Sequence, residues 1–216
     1  MKTIVIATKN SGKVKEFAHA FAKLGVDVKS LLDYPDIPDI PEDGSTFVEN
    51  AKIKAKAAAD ILNVPVLADD SGLTVEALDG APGVYSARYS GEGATDERNN
   101  SKLITELTAL GASMNEELSD GTQLLSAAQF RCALALYDPA SAEFIVAEGN
   151  VDGVIADRPH GDGGFGYDPY FYVPALGCSM AELTKEEKGR ISHRGEALRK
   201  LIPIVEQLLQ DSALEK

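Results

Sequence analysis

The sequence predicts an α/β protein built on a mixed β-sheet flanked by helices. Two observations carry that expectation. In the first half, short apolar runs alternate with helical patterns; in the second half, strand-like segments follow one another as in hairpins. A purely parallel sheet would not contain those hairpins. No internal repeat or low-complexity tract appears, and one domain over residues 1–216 is expected.

The elements follow in order. Residues 2–8 read as a buried strand, and 13–24 as a helix with Val14, Phe17, Phe21 and Leu24 on one face. Residues 33–44 form a loop rich in Pro and Asp. Thr46 and Glu49 have capping-box spacing and open an Ala-rich helix that runs to about Leu62. Residues 64–68 form a second apolar strand, expected to stop at Asp69-Asp70-Ser71-Gly72. Residues 80–93 read as loop, and Thr95 caps a helix through Leu110.

Residues 111–127 carry little periodic signal and read as a surface loop or helix extension. Residues 130–137 alternate as a strand, with 143–155 as its antiparallel partner. Residues 161–174 form a glycine loop that runs into an aromatic strand. Thr184 and Glu187 cap a short helix, and a last helix runs from Arg194 to about Leu209, bent by Pro203.

Composition excludes several classes of function. The chain is 44% hydrophobic and 25% charged, ordinary for a soluble globular protein. Its net charge of −13 repels polyanions, so no nucleic-acid polymer is expected as a partner. Cys132 and Cys178 stand far apart in no metal spacing, and the three histidines form no paired spacing for zinc. The N-terminal apolar strand is too short for a signal peptide, and no run reaches the roughly 18 apolar residues of a membrane span. No membrane association is expected, and the expected location is cytoplasmic.

Four clusters carry chemistry. The first is the stretch ATKNSGKVKEF at 7–17, a strand-to-helix loop. A helix start offers N–H groups and partial positive charge to a phosphate, and Thr8, Asn10, Ser11 and Lys13 add donors and a mobile cation. It is not a Walker loop: Ala7 stands where the first Gly belongs, and Val14 follows Gly12-Lys13 where Ser or Thr is required. The stretch also suits a plain helix cap with an exposed lysine.

The second cluster is Asp69-Asp70 at a strand end, where open α/β sheets place ligands. Successive residues of a strand point to opposite sides, so the two carboxylates have different tasks. Carboxylates beside a phosphate loop suit Mg²⁺, and Glu42 is a further candidate ligand or base. An acidic turn after a strand is the plainer reading. The third cluster is Phe165, Gly166, Tyr167 and Asp168, where glycine lets the backbone approach a ligand and an aromatic face can stack on a purine; core packing would use the same residues. The fourth is Lys188 with Ser192-His193-Arg194. A basic pair at a helix start opposes the dipole, which a bound anion would relieve; a solvated helix end is the alternative.

Five stretches in order, ATKNSGKVKEF, TFVENAKIKAKAAA, LADDSGLTVEALDGAPGVYSARY, GGFGYDPYFYVP and ELTKEEKGRISHRGEAL, resemble the noncanonical purine nucleoside triphosphate pyrophosphatases, the inosine/xanthosine triphosphatase family. The resemblance implies hydrolysis of ITP, dITP and XTP to monophosphate and pyrophosphate. It also implies Mg²⁺ dependence, a homodimer, and an elongated mixed sheet in two lobes around a central cleft. Matched by position, Thr8, Lys9, Asn10, Ser11, Gly12 and Lys13 would cradle the triphosphate, with Lys54 a further phosphate contact. Asp70 would be general base and metal ligand, Glu42 and Asp69 would complete the metal set, and Ser71 would touch substrate. Phe165, Gly166, Tyr167, Asp168, Lys188, His193 and Arg194 would line the nucleoside pocket. Where the family commonly carries two acids before a small polar residue and Gly, this chain has Pro41-Glu42-Asp43-Gly44. A pyrophosphatase of other modified nucleotides, a nucleotide-binding regulator without turnover, and a phosphatase releasing orthophosphate share enough of these features to be tested beside it.

Overall fold

The first apolar run forms strand β1 (Thr3–Ile6), with Ile4, Val5 and Ile6 fully buried. Its β-branched side chains suit a pleated, covered surface. The computed structural model describes residues 3–214, and side chains as far as residue 210. Helix α1 (Ser11–Phe21) starts two residues before the expected position 13, because Asn10 caps it: Asn10 Oδ1 accepts the N–H groups of Gly12 and Lys13. Strand β2 (Asp27–Ser30) follows and pairs parallel with β1.

Helix α2 (Phe47–Leu62) opens on Thr46, whose Oγ1 accepts the Glu49 N–H. The expected capping box is half formed. Glu49 turns its carboxylate to the N–H and hydroxyl of Ser45 instead of the Thr46 N–H. The Ser45 hydroxyl, and next its N–H, hold the Glu49 carboxyl below its ordinary pKa.

Strand β3 (Val66–Val75) corrects the expected stop at Ala68: it continues through Asp69, Asp70, Ser71 and Gly72. Its parallel neighbour β1 pairs only as far as Leu67, but β5 flanks it on the other side and prolongs the ladder. The two acids therefore lie within a strand, just past the end of β1, which keeps them where a parallel sheet presents ligands.

Helix α3 (Asp96–Ala109) begins at the Thr95 cap and ends at Leu110, as expected. The segment 111–127 does not: it contains β4 (Glu116–Glu117) and the start of β5 (Gln123–Asp138), seven residues before the expected strand at 130. Leu124, Leu125, Ser126 and Ala128 are all buried. A strand covered on both faces need not alternate, so the pattern was silent there. Strand β6 (Glu143–Ala156), β7 (Phe171–Val173), β8 (Cys178–Ser179), α4 (Lys185–Ile191) and α5 (His193–Leu214) complete the chain. Pro203 lies within α5 without ending it.

The strand order is β2-β1-β3-β5-β6-β7-β8, with β4 beside β5. Pairing is parallel around β1 and antiparallel for β4–β5, β6–β7 and β7–β8, so the sheet is mixed. The fold is α/β, with helices flanking that sheet. Among the described residues no helix is long and apolar enough to cross a membrane.

The chain divides into two compact units. The first holds residues up to Asp70, Cys132–Gly149 and Glu196 onward; its core gathers Ile4, Phe17, Phe21, Leu67, Leu134 and Leu201. The second holds Ser71–Arg131 and Asn150–Gly195, around Leu73, Leu103, Leu107, Phe130, Phe171 and Met180. In this unit a Cβ on Gly153 would stand 2.7 Å from the Tyr172 carbonyl oxygen and against the Phe171 ring. Gly153→Ala is thus expected to push β6 from β7 and cost about 1–3 kcal/mol. A thermal melt checks this, and an unchanged midpoint would mean that β7 shifts freely.

Candidate active site

The loop between β1 and α1 is solvent-accessible at Lys9, Asn10, Ser11 and Gly12. Thr8 Oγ1 accepts the Asn10 N–H, and Asn10 Oδ1 takes the N–H groups of Gly12 and Lys13. The helix-start donors expected to face a phosphate thus carry an internal acceptor in this structure. Lys9 pairs with Asp39 at 2.9 Å, both well exposed, and the ammonium with its hydrogen bond holds the Asp39 carboxyl below its ordinary pKa.

The acids of β3 separate as strand alternation requires. Asp69, 2% exposed, pairs with Lys13 Nζ of α1 at 2.8 Å. Asp70, 9% exposed, faces α2, where Asn50 Nδ2 donates to its Oδ2 at 3.0 Å. Asn50 is itself fully buried, and its Oδ1 accepts the Gly44 N–H at 2.8 Å. That bond fixes which end of the amide meets Asp70. Lys54, one turn further along α2, donates to the Asp69 carbonyl oxygen at 2.6 Å and lies 3.4 Å from Glu42. One cluster in the first unit therefore brings Lys13, Glu42, Asn50, Lys54, Asp69 and Asp70 together. Ser71 follows Asp70 on β3 as the first residue of the second unit.

Asn50 is the residue that sequence reasoning missed. The signal was present: Phe47, Asn50, Ala51, Lys54, Ala55 and Ala58 share one helix face, so both Asn50 and Lys54 occupy positions where a core residue belongs. A buried polar residue there requires a partner.

The second unit holds the other predicted residues. Phe165 is 69% exposed, while Tyr167 is buried and donates its hydroxyl to the Ser86 carbonyl. The aromatic pair thus divides into an open face and an anchor. Burial raises the Tyr167 pKa, so the hydroxyl stays a donor. Asp168, also buried, accepts the Phe165 N–H and pairs with Lys188, whose ammonium lies 4.7 Å from the Phe165 ring centre. His193 stacks on Phe130, ring centres 5.4 Å apart, and Arg194 follows it in the first turn of α5. The loop and α3 line an open groove of about 720 Å³. Among the described residues no three His, Cys, Asp or Glu side chains converge as a metal-binding group.

Comparison with known proteins matches this architecture closely. Over 201 residues the chain is 57% identical to the dITP/XTP pyrophosphatase of Geobacillus kaustophilus, covering 93% of each chain. The enzyme of the same name from Halalkalibacterium halodurans is 52% identical, with 93% of this chain and 97% of that one covered. Among solved structures, a HAM1 protein from Coxiella burnetii superposes with TM-score 0.85 at 41% identity, covering 96% of this chain and all of the other. The Staphylococcus aureus Ham1 protein gives 0.80 at 44%, covering 98% and 100%. The Ham1 family matches residues 4–204, from the first buried strand into the last helix, and this chain belongs to it.

Proposed function

We propose that this protein hydrolyses ITP, dITP and XTP to the nucleoside monophosphate and pyrophosphate, clearing damaged purines from the nucleotide pool. The observation that carries this reading is the divided acid pair: Asp69 holds Lys13 beside the phosphate loop, and Asn50 holds Asp70. The names of relatives at 57% and 52% identity point the same way. Because the family match runs from 4 to 204, both units are read as one functional domain.

The triphosphate falls to the first unit. Thr8, Lys9, Asn10, Ser11, Gly12, Lys13 and Lys54 supply hydroxyl, amide and ammonium donors. Asp70 takes a proton from a water whose oxygen attacks the α-phosphorus, and the bond to the bridging oxygen breaks as pyrophosphate leaves. Lys13 offsets charge developing on the phosphate oxygens. Asp70 and Glu42 are all-oxygen donors that fit Mg²⁺, an ion that takes its other ligands from water and phosphate. Bound there, Mg²⁺ would neutralise the triphosphate and steady the leaving group. Asp69 is assigned to Lys13, whose ammonium its Oδ2 holds at 2.8 Å.

The base falls to the second unit. Phe165 offers its exposed face for stacking, with Gly166 beside it, Tyr167 anchoring the loop and Asp168–Lys188 bracing it. Ser71 contacts the substrate. Donors from His193 and Arg194 pair with the 6-keto oxygen of hypoxanthine or xanthine. Adenine carries an amine there and leaves them unpaired, a penalty that supports discrimination of about 10⁴-fold. The protein is read as cytoplasmic, in keeping with Cys132 and Cys178 standing outside any disulfide, and as a homodimer.

The test is product analysis with Mg²⁺ on ITP, dITP, XTP, GTP, ATP and dTTP, resolving pyrophosphate from orthophosphate. Monophosphate and pyrophosphate from the first three, with little turnover of ATP or GTP, is expected. Orthophosphate, or equal rates on every nucleotide, would overturn the assignment.

A further inference from the structure

Gly166 has φ of +60°, a conformation that an L side chain rarely adopts, and both of its backbone groups are gripped by α3. Asp96, the first residue of that helix, accepts the Gly166 N–H through Oδ2 at 2.7 Å. Asn100, one turn later on the same face, donates Nδ2 to the Gly166 carbonyl at 2.9 Å and to the Asp96 carbonyl at 2.9 Å. The peptides on both sides of the Gly166 Cα are thereby fixed. Phe165, whose ring lies open, leads directly into them.

The two grips differ in cost. Asp96 is exposed, and its charge also favours the start of a helix. Asn100 is 6% exposed, and its Oδ1 is buried without a hydrogen-bond partner among the described residues. An apolar side chain of that size would avoid the unsatisfied acceptor, so what the asparagine contributes is its Nδ2. The neighbouring Asn99 ties α3 to the carbonyls of Ser86 and Ala87, and Ser86 O also receives the Tyr167 hydroxyl. The start of α3 is thus the common mount for the exposed ring at 165 and the buried anchor at 167.

We infer that Asp96 is a positioning residue for base recognition, holding the Gly166 peptide so that Phe165 presents its face to the purine, with Asn100 completing the clip. This rests on the reading of residues 165–168 as the base loop. Asp96 belongs to the second unit and the phosphate cluster to the first, so its loss should weaken nucleotide binding and leave the chemical step alone. Nothing about the acid's charge is needed for this: an acceptor at the right place is enough. An amide should therefore serve nearly as well as the carboxylate.

The experiment compares Asp96→Ala, Asp96→Asn and Phe165→Ala in the full chain, measuring KM and kcat for ITP and the inhibition constant of inorganic tripolyphosphate, which has no base. For Asp96→Ala, KM is expected to rise about tenfold, with kcat within about twofold and tripolyphosphate inhibition unchanged. Asp96→Asn should recover most of the KM. It removes the same charge from the helix start while keeping the acceptor, so a purely structural role would leave both variants alike in melting point and KM. If Phe165→Ala raises KM and Asp96→Ala does not, or if Asp96→Asn fails to rescue, the positioning role is overturned while the base-loop reading stands. If Phe165→Ala leaves KM unchanged, the base-loop reading fails and the inference falls with it.

Discussion

Asp70→Asn is expected to fold like the parent and to lose about 10³-fold in kcat for ITP. The two side chains have the same shape, and the oxygen of the new amide can still accept from Asn50 Nδ2, now 3.0 Å from Asp70 Oδ2. A buried carboxylate becomes a neutral group, so its desolvation cost falls and the melting point should hold or rise. The lost property is basicity, because an amide does not take a proton from water near neutral pH. Weaker affinity for Mg²⁺ is expected as well, and repeating the assay at saturating Mg²⁺ separates the two effects. Turnover restored by added metal would assign Asp70 to binding alone. Near-parental turnover at every metal concentration would remove it from the site.

How far the sequence reveals such a fold depends on whether the deciding chemistry is local. Thr46, Thr95 and Thr184 each cap a helix found where expected, because a cap is made by atoms three residues apart. The end of β3 and the start of β5 were misjudged for the opposite reason. Asp69 through Gly72 resemble a turn, yet β5 lies alongside β3 and holds the extended chain. Residues 123–129 lack alternation because both faces are covered, which a strand's own sequence does not announce.

The same division runs through the candidate site. That Asp69 and Asp70 face opposite ways follows from strand geometry alone. That one meets Lys13 and the other Asn50 depends on how α1 and α2 pack, fifty-six and twenty residues away in sequence. The loop at 8–13 was legible as an anion site, but the use of Asn10 as the cap of α1 was not separable from its use as a donor. Phe165 and Tyr167 are two aromatic residues in one motif. Only burial distinguishes the open ring from the one tied to Ser86.

Lys13→Met is the change that most sharply separates support from catalysis. Asp69 is 2% exposed, and its pairing with Lys13 at 2.8 Å brings a cation whose own side chain is 29% exposed. Removing the ammonium strips a buried carboxylate of that partner, a loss of about 3 kcal/mol. For a chain of this size, that lowers the melting point by roughly 6–12 °C. Turnover should also collapse, but instability alone could explain that. The double variant Lys13→Met, Asp69→Leu resolves the ambiguity, because replacing a buried ion pair with apolar groups is often neutral or stabilising. It is expected to recover the melting point while kcat for ITP stays at least about 10²-fold down, since the Lys13 ammonium then no longer offsets charge on the reacting phosphate. Recovery of both would reduce Lys13 to a partner of Asp69 and shift the phosphate contact to Lys54. A single variant that melts like the parent would mean that the pair contributes little to stability, and that Asp69 is held in the sheet by its other contacts.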